Sequence, residues 1–197
     1  MEPRIAHIHR VTKETDIELT LNLDGSGICR ADTGIGFFDH MIEGFARHGL
    51  FDVDLVCKGD LRVDSHHSIE DCGIVLGQAI AGAIGGKKGI QRFGSCILPM
   101  DDALILSAID LSGRPYFAYD AAFSAPMVGD FPTEMARDFF YAVSYAAAMN
   151  LHIKQLSGFN CHHIIEGSFK AFARALDMAT SFDPRIEGVV MSTKGTL

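Results

Sequence analysis

The amino-acid sequence predicts a single body of mixed strands and helices, assembled from two halves related by an internal pseudo-twofold axis. Three observations predict it. Ile17, Leu19, Leu21 and Leu23 alternate with polar residues, the period of a half-buried strand. Ile69, Cys72, Leu76, Ile80 and Ala83 step by three and four, the apolar face of a helix. The block His66-His67-Ser68-Ile69-Glu70 returns 96 residues later as His162-His163-Ile164-Ile165-Glu166. The same offset pairs Leu55 with Leu151, Lys58 with Lys154, Leu76 with Phe172, Ile80 with Leu176 and Ala83 with Ala179. No low-complexity linker separates the copies, so the 197 residues read as one domain with halves at about 1–95 and 96–197.

The elements follow in order. The N-terminal stretch with His7 and His9 alternates as a strand does, and a second strand runs through Ile17–Leu23. Asp24-Gly25-Ser26-Gly27 reads as a hairpin turn, because glycine supplies the positive φ that such turns need. A helix spans about Gly36 to Arg47, with Gly49 as its left-handed C-terminal residue. Phe51–Val56 is a strand, and Ser65 to about Gly85 a helix stopped by Gly85-Gly86. Ala103–Leu111 is apolar enough for a strand buried on both faces, and Ser112-Gly113-Arg114-Pro115 is a turn. Phe131–Met149 is helical by pattern, Leu151–Leu156 a short strand, Cys161 to about Ser181 a long helix, and Ser192–Gly195 a loose tail.

Composition excludes several classes. Acidic side chains number 25 against 17 basic ones, and a net charge of −8 argues against a nucleic-acid backbone as partner. The apolar stretches near Ala79–Gly86 and Ala142–Met149 fall short of the ~20 residues a membrane-spanning helix needs, and Met1-Glu2-Pro3-Arg4 leads into no apolar signal core. The five cysteines are odd in number and scattered, without a CxxC pair. They predict reduced thiols in a cytoplasmic enzyme or binding protein, and no sulfur-ligated zinc.

The chemistry lies in the repeated block. A helix turns ~100° per residue, so His66 and Glu70 stand on one face, as do His162 and Glu166, each pair able to grip one metal ion. His67 and His163 face elsewhere. A crossed arrangement follows: one metal takes His66, Glu70 and His163, the other His162, Glu166 and His67. His40 and Asp138, on the helices preceding the two motifs, are the fourth ligands, one per metal, with His152 the alternative for the second. Imidazole with carboxylate and no thiolate fits Mn²⁺, Fe²⁺, Co²⁺ or Zn²⁺, and more than four ligands favour manganese. One such motif alone is a weak signal, but two in register carry it. His7 and His9 read as ordinary strand residues, and His48 as a cation at a helix C-terminus. Taken singly, Arg92, Arg114, Lys170 and Ser192-Thr193-Lys194 are solvated charges. Thr33-Gly34-Ile35-Gly36 is a turn that lacks the P-loop lysine.

With these residues in view the sequence resembles the imidazoleglycerol-phosphate dehydratases. The likeness rests on Arg10-Val11-Thr12-Lys13-Glu14-Thr15, Leu23-Asp24-Gly25, Thr33-Gly34-Ile35-Gly36-Phe37-Phe38-Asp39-His40-Met41 and Gly59-Asp60-Leu61. It continues in Asp64-Ser65-His66-His67-Ser68-Ile69-Glu70-Asp71, Pro99-Met100-Asp101 and Asp110-Leu111-Ser112-Gly113-Arg114-Pro115. It closes with Leu151-His152, the second His-His block, Phe169-Lys170-Ala171-Phe172-Ala173-Arg174-Ala175-Leu176 and Ser192-Thr193-Lys194-Gly195.

The resemblance implies an α+β fold of duplicated halves, each a mainly antiparallel sheet with two helices, the helices layered between the sheets. It implies two manganese ions per active site, sites shared between subunits, and a homo-oligomer of twenty-four chains. It leaves no room for the phosphatase domain fused to some relatives, and many relatives carry His where this chain has Asp138. The implied reaction removes water from imidazoleglycerol phosphate to give imidazoleacetol phosphate, in histidine biosynthesis. The C–H bond to be broken has no neighbouring carbonyl. Metals on both ring nitrogens would lower the azole N–H pKa and open a route through an imidazolate and a diazafulvene. The resemblance places Glu14 beside the substrate as an acid/base group, with Glu70 and Glu166 as further proton relays. Arg92, Arg114, Lys170, Ser192 and Lys194 form the phosphate-binding set. His40, His48, His66, His67, Glu70, His162 and Thr193 complete the substrate contacts. The ligand types leave two rivals open, a dinuclear metallohydrolase acting on a small phosphorylated substrate and a non-catalytic metal-binding assembly.

Overall fold

The structure is a computed structural model that describes residues 3–196. Strands β1 (Ile5–Val11), β2 (Thr15–Asn22) and β3 (Cys29–Asp32) precede helix α1 (Gly36–Gly49), followed by strand β4 (Asp52–Gly59) and helix α2 (His66–Ile84). The second half repeats the pattern with β5 (Phe93–Met100), β6 (Ala103–Asp110), β7 (Tyr116–Asp120), the small strands β8 (Met127–Val128) and β9 (Phe131–Pro132), α3 (Met135–Ala146), β10 (Asn150–Ser157) and α4 (Cys161–Thr180).

The two four-stranded sheets have matching orders, β1-β2-β4-β3 and β5-β6-β10-β7. In each, three strands pair antiparallel and the last pairs parallel with its neighbour. Helices α1 and α2 lie on the first sheet, α3 and α4 on the second, and the layers meet as α1 on α4 and α2 on α3. The helices are therefore sandwiched between the sheets. A cluster of buried rings fills the seam between the helix layers, with Phe38 of α1 edge-on to Phe139 at 5.4 Å and Phe45 of α1 stacked on Phe172 at 5.6 Å. On the other diagonal α2 approaches α3 so closely that a Cβ on Gly77 would fall 2.6 Å from the Val143 carbonyl oxygen. Among the described residues no helix is long and apolar enough to cross a membrane.

Several local expectations change. The Asp24–Gly27 turn does not close a hairpin. Both edges of β2 are taken by β1 and β4, so the turn carries the chain past β4 to its far side, where β3 pairs parallel. Asp52 pins that turn by accepting from Ser26 N at 2.8 Å and Ile28 N at 3.0 Å. The left-handed residue after α1 is Leu50 (φ 57°), while Gly49 stays helical and is glycine for want of space, since a Cβ there would meet the Phe51 ring at 2.3 Å. Strand β6 is buried on one face only: Ala103, Ile105, Ser107 and Ile109 face the helices, and Leu104, Leu106 and Ala108 are half-buried on the outer face. Helix α3 begins at Met135, since Phe131-Pro132 is spent pairing with β8. The equivalent eight-residue strands β4 and β10 sit 98 positions apart, although their helices keep the offset of 96, so Leu55 matches Ile153 and not Leu151. The slip of two leaves the same face buried.

Candidate functional site

Both His-His-x-x-Glu blocks open a long helix, and each first turn hands a leading N–H to a side chain ahead of it: Asn160 caps α4 directly, while before α2 the adjacent Ser65 makes no side-chain bond and Asp64, one residue further back, serves instead. Asp64 Oδ1 accepts from His66 N at 2.8 Å, and Asn160 Oδ1 from His162 N at 3.0 Å and His163 N at 3.4 Å. Such caps satisfy the free N–H groups of a first turn and fix its orientation. The i, i+4 geometry is as the spacing predicts. His162 Nε2 lies 3.0 Å from Glu166 Oε2, and His66 Nε2 3.7 Å from Glu70 Oε2.

The second imidazole of each block turns away and is held by a carboxylate. His67 Nδ1 is 3.1 Å from both oxygens of Asp60, with Glu14 Oε1 3.8 Å from its Nε2. His163 Nδ1 is 2.6 Å from Asp102 Oδ1, with Asp101 Oδ2 3.4 Å from its Nε2. A carboxylate on Nδ1 fixes the tautomer and leaves the Nε2 lone pair directed outward, as a metal ligand requires. The hydrogen bond to Asp60 raises the His67 pKa. Hydrogen bonds from His163 and from Phe159 N and Asn160 N hold the Asp102 carboxyl well below the usual carboxylate range. Asp60, Asp101 and Asp102 were missed in the sequence. Asp60 stands in a quoted motif, but Asp102 lies 61 positions from its imidazole, and only the β5–β6 turn brings the two together.

Of the two residues expected as fourth ligands, His40 joins His162 and Glu166. One donor atom from each lies within 4.8 Å of the others, the sole group of three or more such residues among those described. Packing of α1 on α4 brings them together. Glu166 is buried, and Lys170 Nζ lies 2.6 Å from its Oε1. Burial pushes the Glu166 carboxyl up, but the Lys170 hydrogen bond and charge, with the His162 hydrogen bond, outweigh it and leave the pKa below the usual range. Asp138, on α3, lies 3.4 Å from Arg137 and joins no such group with His66 and Glu70. His152 stands exposed on the outer face of β10 against Tyr116, away from the helix layer. Burial, with Lys170 nearby, depresses the His48 pKa. The crossed sets do not assemble within one chain: His163 meets neither Glu70 nor His66.

The cationic set divides. Lys170 sits beside Glu166, on the histidine end of α4. Arg92 is at the other end, its N–H donating to the Ala179 carbonyl, its guanidinium to Asp110 at 2.7 Å and to the Met191 carbonyl ahead of Ser192-Thr193-Lys194. Arg114 is at that same end, its carbonyl accepting from Asn150, the first residue of β10. At ~1.5 Å per residue, Ala179 and His162 stand about 25 Å apart along α4. Glu14 lies on the β1–β2 turn, which is tied to α2 by Arg10 Nη1 and Thr15 Oγ1 donating to Asp71 at 2.5 and 2.6 Å.

The chain's relatives are consistent in name. A family model described as imidazoleglycerol-phosphate dehydratase matches residues 33–176. A protein of that name from Lachnoclostridium phytofermentans is 61% identical over 194 residues, covering 98% of each chain. Another from Desulfitobacterium hafniense is 55% identical over 197 residues, covering 100% of each. The solved dehydratase of Staphylococcus aureus superposes with a TM-score of 0.83 at 36% identity, covering 91% of this chain and 99% of its own. That of Pyrococcus furiosus superposes at 0.83 and 37%, covering 96% and 100%.

Proposed function

The chain belongs to the imidazoleglycerol-phosphate dehydratase family, lyases of histidine biosynthesis, and from that premise we propose that two manganese ions serve each of its active sites, which are completed between subunits. The observation that carries this reading is the twin arrangement of a His–Glu pair on a capped first turn beside a second imidazole held outward by a carboxylate.

The donor set fits the metal. His40, His162 and Glu166 converge within 4.8 Å without a thiolate, as a hard to borderline cation prefers. His66, Glu70 and His163 would hold one ion and His162, Glu166 and His67 the other, with Asp138 and His40 as the remaining ligands. Bound manganese supplies Lewis-acid polarisation of the azole nitrogens, lowering the N–H pKa of the substrate ring.

The chain's own groups then act on protons and on orientation. Glu14, on its turn beside His67, takes the proton from the carbon that carries it. Glu70 and Glu166 relay protons at the ring, and Lys170 keeps Glu166 ionised for that role. Arg92, Arg114, Ser192, Thr193 and Lys194 clamp the phosphate, and His48, near enough to Lys170 to feel its charge, is a further substrate contact. Since the clamp and the histidines lie about 25 Å apart in one chain, a single site draws them from different copies. A homo-oligomer, twenty-four chains as the resemblance implies, provides the contacts. The five free thiols support a cytoplasmic setting, and the two halves together form a single domain.

Metal analysis coupled to turnover tests this. Protein reloaded after chelation should hold two manganese ions per chain and convert imidazoleglycerol phosphate to the ketone without releasing phosphate. Phosphate release would support the hydrolase instead, and full turnover by exhaustively stripped protein would overturn the metal role.

A further inference from the structure

We infer that Asp130, which touches none of the ligands, is a positioning residue for the metal group of His40, His162 and Glu166. Helix α1 has no cap of its own: Ile35 precedes it and offers no side-chain acceptor. The two leading N–H groups are instead taken from across the molecule. Gly36 N donates to Asp130 Oδ2 at 2.8 Å and Phe37 N to Asp130 Oδ1 at 3.2 Å. Asp130 stands in the turn between β8 and β9, where Gly129 supplies the left-handed conformation (φ 59°) that lets the carboxylate face the helix.

The same turn grips the ligands a second way. Phe131, on β9, packs at 5.5 Å against the Phe37 ring, and Phe37 meets the His162 imidazole edge-on at 5.0 Å. Within one turn of that contact α1 presents His40, whose ring lies 6.3 Å from that of His162. One two-strand turn therefore fixes the start of α1 through Asp130 and the His162 face through Phe131 and Phe37. A shift of α1 along its axis would separate His40 from Glu166, whose Nε2 and Oε1 are already 3.9 Å apart. Partners that hold ligands in place without touching the metal are worth about 10–100-fold in affinity.

The inference rests on the reading of His40, His162 and Glu166 as ligands, and the test separates the two. The intact metal-free protein is titrated with Mn²⁺ while free ion is followed by electron paramagnetic resonance. Asp130→Ala should weaken one of the two ions per chain about tenfold and leave the other unchanged, with kcat recovered at excess Mn²⁺. Asp130→Asn, whose amide oxygen still accepts an N–H, should fall between, and it carries the test if the alanine variant does not fold. Phe37→Leu should weaken the same ion. Asp52→Ala, which removes comparable hydrogen bonds from a turn remote from the site, should lower the melting temperature and leave both ions unaffected. Wild-type affinity in Asp130→Ala, or in Asp130→Asn and Phe37→Leu together, would overturn the inference. Wild-type affinity in His162→Ala would instead overturn the ligand assignment.

Discussion

His163 and Asp102 form the shortest imidazole–carboxylate contact of the site, 2.6 Å from Nδ1 to Oδ1, while Asp102 Oδ2 takes the N–H groups of Phe159 and Asn160 that lead into α4. One carboxylate thus fixes both the ring and the start of the helix that carries it. Asp102→Asn keeps an acceptor but loses the charge that raises imidazole basicity. It should weaken one metal about 10- to 100-fold, read by metal titration, with Asp60→Asn doing the same to the other. Unchanged binding in both would remove these carboxylates from the site.

Arg10 and Thr15 converge on Asp71, one residue from Glu70, and so anchor the turn that carries Glu14. Arg10→Met leaves a mostly buried carboxylate with one donor. The loss should be about 2–3 kcal/mol, below the range for a fully buried pair because Arg10 is partly exposed. Denaturant unfolding measures it. The turn should also loosen and kcat fall with little change in metal content. A variant with wild-type kcat would separate the anchor from Glu14.

The pseudo-twofold plan was legible because the helices bear their chemistry and their apolar faces at one offset. The strand slip was not, since any even shift preserves the alternation. Strands β5 and β7 escaped notice: Gly94-Ser95-Cys96 carries little strand preference, and Tyr116–Asp120 follows a turn that reads as loop. The closeness of His66 to Glu70 and of His162 to Glu166 was readable from i, i+4 spacing. The carboxylates Asp60 and Asp102 on the second imidazoles, and Asp130 at the start of α1, were not, because each acts from another element and no local period encodes that.

Gly77 separates packing from helix preference. A Cβ there would meet the Val143 oxygen at 2.6 Å and the Ala146 Cβ at 2.7 Å, so Gly77→Ala should push α2 from α3 and destabilise by about 1–3 kcal/mol. Gly82, on the same helix, has only the Ala6 Cβ at 3.4 Å, so Gly82→Ala should be neutral or stabilise by up to about 1 kcal/mol. Equal melting temperatures for the two variants would refute the close approach.

Asp52 sets an acid limit. Hydrogen bonds from Ser26 N, Ile28 N and Asn22 outweigh burial and hold its carboxyl below the ordinary 3.8. A depressed folded-state pKa stabilises above the unfolded value, and that stability is lost as pH falls through the folded one. In the metal-free protein, Asp52→Asn should be less stable than wild type at pH 7, with the difference narrowing below about pH 4. A gap independent of pH would contradict the assignment.

Arg114 and His162 belong to opposite ends of β10 and of the α4 layer, about 23 Å apart by the eight-residue rise of the strand. A small phosphorylated azole cannot touch both in one chain, so a site that uses both, as proposed, would take them from two. Arg114→Ala and His162→Ala should each be inactive alone. Dissociated by chelation, mixed and reassembled with Mn²⁺, the two should regain activity, because some contacts then pair an intact His162 from one chain with an intact Arg114 from the other. If both groups served a site from the same chain, every site in the mixture would carry a defect and no activity would return. Size measurements on the same samples provide the companion check: particles that stay whole after metal removal would show that the ions do not bridge the chains.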